Sequence, residues 1–269
     1  MFFNPLCPVW FSLLLYCIYF CFSVPNKTIK KIEVYDIDSF QLRRRLTVPG
    51  LIAAFDIVAC ERYGCAYVSN ALRQSVHRVA LRGVAITHWP VNDVPSCLSV
   101  TVKHNVLVTC RHVRKIKEFS SYGELLREFI SSVASPWHTV QLSSGELIVC
   151  HGHRIEPLHR VCLISSDGQV VQSYGGSKGS GSQQVRQRPS HMAVDRDQFV
   201  FVVDRKNDTV LLLSPAVSYL REVLSREQLQ WTPYRLSLDV QRRRLYVAVN
   251  KQHEVSRDFT VGRVIVVNV

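Results

Sequence analysis

Several side chains in this sequence could do chemistry if the fold brought them together. Arg111, His112, Trp137, His138, His153, Arg154, His191, Arg205, Lys206 and Arg235 combine guanidinium or ammonium groups with imidazole and indole rings. Arginine forks grip phosphate or carboxylate with two hydrogen bonds, and histidine or tryptophan rings stack on bases. A second group, Cys150, His151, His153, His159 and Cys162, has the right residue types for zinc. Zinc needs three or four such ligands converging at about 2.0–2.3 Å. Here the cysteines fall on neighbouring apolar strands and the histidines on a turn containing Pro157, a spacing that matches no zinc motif. Neither a metal nor another cofactor is expected. Asp56, Asp195 and Asp239 each end a first strand, where a carboxylate accepts backbone N–H groups of a turn. A residue type recurring once per unit reads as a cap rather than as a catalyst.

The elements that must position these residues are strands. Residues 189 to 213 carry the clearest pattern: a proline, an apolar strand over 191–194, a polar turn, an apolar strand over 199–203, a turn opened by Asp204 and Asn207, and a third strand over 209–213. Short Val- and Phe-rich runs bounded by Asp, Asn and Pro make an antiparallel meander. The unit recurs behind Pro49, Pro95, Pro136 and Pro233. The marker prolines lie 46, 41, 53 and 44 residues apart. A period in the forties with about four strands per copy is the signature of a β-propeller.

These units resemble NHL repeats, in which a proline, a short strand, an aromatic-aliphatic strand and Asp-x-x-Asn follow in order. Asp204 and Asn207 stand at the matching offset. Cys110, His151 and Asn250 stand where the other copies would carry that aspartate. From about residue 30 to 269 the chain is similar to the C-terminal propellers of tripartite-motif (TRIM-NHL) proteins and to related stand-alone invertebrate propellers. The resemblance implies a domain that binds protein or RNA. It brings no ligase activity, because a RING or B-box needs paired Cys and His ligands that are missing here. It also raises an alternative, because related propellers include a lyase and lactonases with metal in the central channel. Such a site needs inward carboxylates or histidines from several blades.

Residues 31–48 read as two strands of a blade whose first two strands are missing, and the last unit stops before a fourth strand. The expectation is an all-β fold, a six-bladed NHL-like β-propeller over residues 30–269, with one blade irregular or completed by the termini. Residues 1–25 form a separate apolar segment. The uncharged run 8–24 is barely long enough for a membrane span and suits a signal h-region. Lys27, Lys30 and Lys31 follow it, so an anchor would hold the propeller on the cytoplasmic side. Anchor, cleaved signal and atypical start all remain open. A cytoplasmic or membrane-anchored location is expected ahead of secretion. The nine cysteines show none of the spacing of a stapled secreted domain.

The chain of 269 residues carries a net charge of +12, which suits an acidic partner. In a propeller, the loop before each first strand and the turn after each second strand share one face. That face collects the ten basic and aromatic residues named first. The functional expectation is a non-catalytic module or scaffold that docks a protein partner there. The alternatives are single-stranded RNA on the same face, and a metal-dependent lyase or hydrolase in the channel. The Gly/Ser-rich stretch 174–182 reads as a surface loop rather than a phosphate cradle, because no Gly-Lys-Ser/Thr ends it.

Overall fold

The computed structural model describes residues 13–16, 31–52, 54–152, 159–175, 188–250 and 262–269. Within them the chain is almost entirely strand. β1 (Leu13–Tyr16), β2 (Lys31–Asp36) and β3 (Leu42–Thr47) form the first sheet. β4 (Ala54–Cys60), β5 (Cys65–Asn70), β6 (Ser75–Ala80) and β7 (Ile86–Pro90) form the second. The third holds β8 (Cys97–Val100), β9 (Val106–Cys110), β10 (Lys115–Phe119) and β11 (Leu125–Ile130). The fourth holds β12 (Pro136–Gln141), β13 (Leu147–His151), β14 (Arg160–Ile164) and β15 (Val170–Tyr174). The fifth holds β16 (Pro189–Val194), β17 (Val200–Asp204), β18 (Thr209–Leu213) and β19 (Tyr219–Leu224). The last holds β20 (Thr232–Asp239), β21 (Arg244–Asn250) and β22 (Gly262–Asn268). One short helix, α1 (Arg226–Leu229), opens with a capping box from Ser225 and Gln228.

Each sheet is an antiparallel meander, and in the four-stranded ones the last strand is the most exposed. β17 is buried along its whole length, whereas β19 is largely exposed. A second strand sandwiched between neighbouring sheets has no wet face, so its sequence is a continuous apolar run, Val-Phe-Val-Val. The core lies between sheets. Met192, Val200, Val202 and Leu213 of the fifth sheet pack on Trp137, Ile148 and Val161 of the fourth.

The first strands β4, β8, β12, β16 and β20 line the axis. Each touches the next in order from β4 to β20. The circle closes when Arg235 of β20 reaches β4, donating from Nη2 to the Phe55 carbonyl at 2.7 Å. The fold is therefore an all-β propeller of five blades, not six. The extra sheet β1–β3 supplies no strand to the axis. Its Ile32, Val34 and Leu46 pack on Val68 and Val79 of the first blade, and its Ile37 packs on Tyr246 and Val264 of the last. A side chain, rather than a sixth inner strand, completes the ring.

Within the apolar segment, β1 pairs antiparallel with β2, Leu13 opposite Asp36 and Tyr16 opposite Glu33. No helix among the described residues is long and apolar enough to cross a membrane. The rest of that segment lies outside the described residues. Cys60, Cys65, Cys97, Cys110, Cys150 and Cys162 are all buried free thiols.

Candidate functional site

The site is built by one device repeated around the axis. Proline fits the first position of an inner strand, where no ladder N–H is needed. Directly after it comes a β-bulge. In β12, Pro136 pairs with His151 and His138 with Cys150, which leaves Trp137 as the extra residue. The same shift occurs in β16 at Ser190 and in β20 at Tyr234, and in β4 across Phe55 and Asp56. A bulge re-aims side chains. In these four blades it presents two consecutive residues in the region of the axis, while β8 pairs with β9 in regular register.

With Cys97 of β8, the second of each pair forms a buried ring: Asp56, Cys97, His138, His191 and Arg235. Cys97, His191 and Arg235 each precede a backbone N–H that a ring side chain of a neighbouring blade accepts. Asp56 Oδ2 accepts from Leu98 N at 2.8 Å. His138 Nδ1 accepts from Met192 N at 3.1 Å, and His191 Nδ1 from Leu236 N at 3.3 Å. His138 Nε2 then donates to the Leu98 carbonyl at 3.2 Å. The two imidazoles stack, with centroids 4.0 Å apart and planes 12° from parallel. Arg235 Nε lies 3.3 Å from Asp56 Oδ1, and its Nη1 approaches Cys97 Sγ at 3.5 Å.

The electrostatics follow from burial. Desolvation pushes His138 down to about 4, outweighing the Asp56 carboxylate and the Leu98 carbonyl that favour its charged form. His191 is held well below the ordinary imidazole value by burial, then by His138 and Arg235. Burial also raises the Cys97 thiol far above the usual range. Arg235 behaves oppositely. Burial alone would lower its pKa, but Asp56 and then Cys97 outweigh that and keep the guanidinium charged. Because both Nδ1 atoms accept backbone N–H groups, both neutral rings carry their proton on Nε2. Neither has a free lone pair with which to act as a base. His191 Nε2 lies 4.0 Å from Asp56 Oδ2, beyond hydrogen-bond range.

The metal-dependent alternative would place an ion in the channel. Asp56, His138 and His191 bring ligand-type atoms within 4.8 Å of one another. The donor set does not fit a cation. The imidazole lone pairs at Nδ1 are engaged by backbone, and the Arg235 guanidinium already stands against Asp56 as the resident positive charge. The zinc-type group named from sequence also disperses. Cys150 belongs to the core shared with the fifth sheet, Cys162 to the core shared with the third, and His153 lies outside the described residues.

Of the ten residues expected on one binding face, the structure divides those it describes. His138 and His191 are buried in the ring, and Arg235 is half-buried, with its guanidinium turned to Asp56 and the Phe55 carbonyl. The reason is the bulge, which turns them towards the axis. Arg111 stacks over Trp137 at 4.2 Å, and Trp137, only 9% exposed, meets Phe55 edge-on at 6.3 Å. Arg205 lies over Tyr234 at 4.7 Å. His112 and Lys206 are exposed. His153 and Arg154 lie outside the described residues. Asp195 and Asp239 cap turns as expected, accepting from Phe199 N and Arg242 N. Asp56 does not cap a turn; it is the carboxylate of the ring. The signal that would have found it is the second residue after each marker, once Ala54 rather than Pro49 is taken as the first marker.

The arginine runs away from the axis are paired. Arg43 meets Asp36 at 2.9 Å and Arg45 meets Glu33 at 2.8 Å, while Arg242 and Arg244 flank Asp38, each at 3.7 Å. Lys117 is buried between Asp93 at 2.7 Å and Glu128 at 3.0 Å.

No protein-family model matches the chain, and no curated protein sequence does. Solved structures resemble it in fold. A catalytically inactive histidine-to-alanine variant of virginiamycin B lyase from Staphylococcus aureus, with quinupristin, superposes with TM-score 0.60 at 13% identity, over 82% of this chain and 70% of that one. A streptogramin B lyase gives TM-score 0.59 at 11% identity, over 81% and 69%. A protein of unknown function from Bacteroides caccae gives 0.64 at 17%, over 91% and 85%. None of these is an NHL or TRIM-type propeller, so that resemblance is not supported beyond the propeller itself. At these identities the likeness establishes the fold alone, and the fold is a β-propeller.

Proposed function

We propose that this protein is a non-catalytic binding module that recognises a protein partner through arginine–aromatic pairs beside its axis. The observation that carries this reading is the engagement of the ring. Asp56, His138, His191 and Arg235 are tied to one another and to backbone groups of neighbouring blades, which is what a structural clasp requires. Around it stand Arg111 on Trp137 and Arg205 on Tyr234. Arginine, tryptophan and tyrosine dominate binding hot spots, because a flat ring and a guanidinium bury large area with few rotors. The reading needs no cofactor.

The test uses the full chain immobilised beside an Arg111→Glu/Arg205→Glu variant and an Arg45→Glu variant. Quantitative mass spectrometry then compares proteins retained from cell extract. The expected result is a protein set held by the native chain and by Arg45→Glu but lost from the double variant. A filter-binding titration with random single-stranded RNA at two salt concentrations runs alongside. RNA binding that collapses with salt, by about 0.7 log units per log unit for each phosphate neutralised, and vanishes in the double variant would replace this reading with the nucleic-acid one.

A lyase reading has one support, the naming of two of the structural neighbours as lyases. Against it, a base is needed, and both imidazole lone pairs face backbone N–H donors.

A further inference from the structure

Arg205 combines a fixed backbone, a stack on an aromatic ring and a place beside the ring of inner-strand side chains. It belongs to the turn after β17, whose backbone is fixed from both sides. Asp204 accepts from Arg188 N at 2.9 Å and Lys206 N at 3.0 Å, and Asn207 Nδ2 donates to Asp204 Oδ2 at 2.7 Å. Arg205 N itself donates to the Arg188 carbonyl at 3.1 Å. The guanidinium is thus delivered to a defined place, over the Tyr234 ring at 4.7 Å. That same ring carries Arg235 at 5.1 Å.

What it lacks is an anion. Arg43, Arg45, Arg127, Arg235 and Arg242 each meet a carboxylate. No ion pair joins Arg205 to a carboxylate among the described residues, and its Nε is shielded from water with no hydrogen-bond partner. The nearby Asp208 is engaged by Arg226 at 3.5 Å. Burial lowers the pKa of Arg205, and although Tyr234 opposes that, Arg188 and Arg235 add like-charge repulsion. A partly buried guanidinium beside two others, opposed only by the more distant Asp208 carboxylate and the Tyr234 hydroxyl, is costly. Arg205 is pre-positioned by its turn and its ring stack without an ion-pair partner among the described residues.

Resting on the protein-binding reading above, we infer that Arg205, stacked on Tyr234, is the subsite for a carboxylate side chain in an acidic segment of the partner. Tyr234 covers one face of the guanidinium, so an anion must approach in the plane of the fork. A planar carboxylate matches that edge with two parallel hydrogen bonds. Asp204 and Asp208 flank the turn, which suits a discrete acidic group better than a continuous run of phosphates.

The test is fluorescence anisotropy of the full chain with labelled hexaglutamate, hexaglutamine and oligouridylate, plus thermal melts. Hexaglutamate is expected to bind, hexaglutamine not. Arg205→Met should weaken hexaglutamate binding about tenfold or more, with Arg205→Lys between the two. Free Arg205→Met should melt at the same or a higher temperature, because the substitution removes an uncompensated charge. A lower melting temperature in Arg205→Met would make the stack on Tyr234 a structural contact and overturn the inference. So would equal hexaglutamate affinity in native and variant chains, no hexaglutamate binding, or tighter binding of oligouridylate. If hexaglutamate fails while the cell-extract comparison still separates native from Arg111→Glu/Arg205→Glu, the partner docks without this subsite. If both fail, the binding reading fails with it.

Discussion

Arg235 and Asp56 meet 3.3 Å apart across the seam between the last inner strand and the first, although 179 positions of chain separate their numbers (235 − 56). The same guanidinium holds the Phe55 carbonyl and approaches Cys97. The N-terminal sheet leaves the axis without a sixth strand. The two ends of the ring are therefore joined here by a side chain rather than by a strand ladder.

Removing one partner of a buried ion pair strands the other. Arg235→Met should lower unfolding free energy by about 3–5 kcal/mol, and Asp56→Asn by a similar amount, as measured by urea denaturation. The double variant should lose less than the sum, because no uncompensated charge remains. Additive losses would mean that the pair does not act as a unit.

The histidine stack makes the fold acid-sensitive. His138 titrates at about 4 in the folded protein, against about 6.5 unfolded. Between those values the unfolded chain binds the extra proton, so stability is present above pH 6.5 and falls as pH drops towards 4. The loss is about 1.4 kcal/mol per pH unit for each such group. His191 is depressed in the same direction, and His77 reaches about 4, chiefly through burial. Native chain and a His138→Gln variant should be compared by denaturant midpoint from pH 7.5 to 4. The variant is expected to be less stable at neutral pH but to lose stability with a shallower slope. An unchanged slope would sink this assignment.

Most of the architecture was legible from residue order, for a physical reason. Proline at a strand start, an apolar run and an Asp-headed turn are local events, and each is visible within ten residues. The ring was not legible, because it is assembled from one position in each of five separate units. Cys97, His138, His191 and Arg235 sit two residues after a proline, but Asp56 sits two after Ala54, and the alignment on Pro49 hid it. Its carboxylate then resembled Asp195 and Asp239, which do cap turns. The blade count failed similarly. β2 and β3 look like the outer strands of a blade, and nothing local reveals that no inner strand joins them. His138 and His191 were expected to stack on a ligand; the bulge stacks them on each other.

Thiol chemistry should divide along the same lines of burial. Desolvation pushes Cys110 and Cys150 up to about 12 and Cys162 to about 11. At pH 8 the folded chain should therefore leave these three unmodified by iodoacetamide, while addition of denaturant exposes them at once. Peptide mapping by mass spectrometry reads the outcome. Modification of Cys150 in the folded protein would contradict the packing of the third blade on the fourth.

Gly123 turns the corner between β10 and β11 with φ +95°, a conformation that strains any residue with a Cβ. A Cβ there would stand 2.5 Å from the Trp89 ring. That indole packs against Tyr67 and Phe119, with centroids 5.9 and 6.1 Å away, in the core between the first and second blades. Strain and overlap act together, so Gly123→Ala should cost about 2–4 kcal/mol, well beyond an ordinary surface substitution. Trp89→Phe removes part of the ring that the new methyl group would strike. Combined with Gly123→Ala it should recover part of the loss, which a double-mutant cycle in urea measures. Full additivity would show that the cost lies in the backbone angle alone and that the indole does not set it.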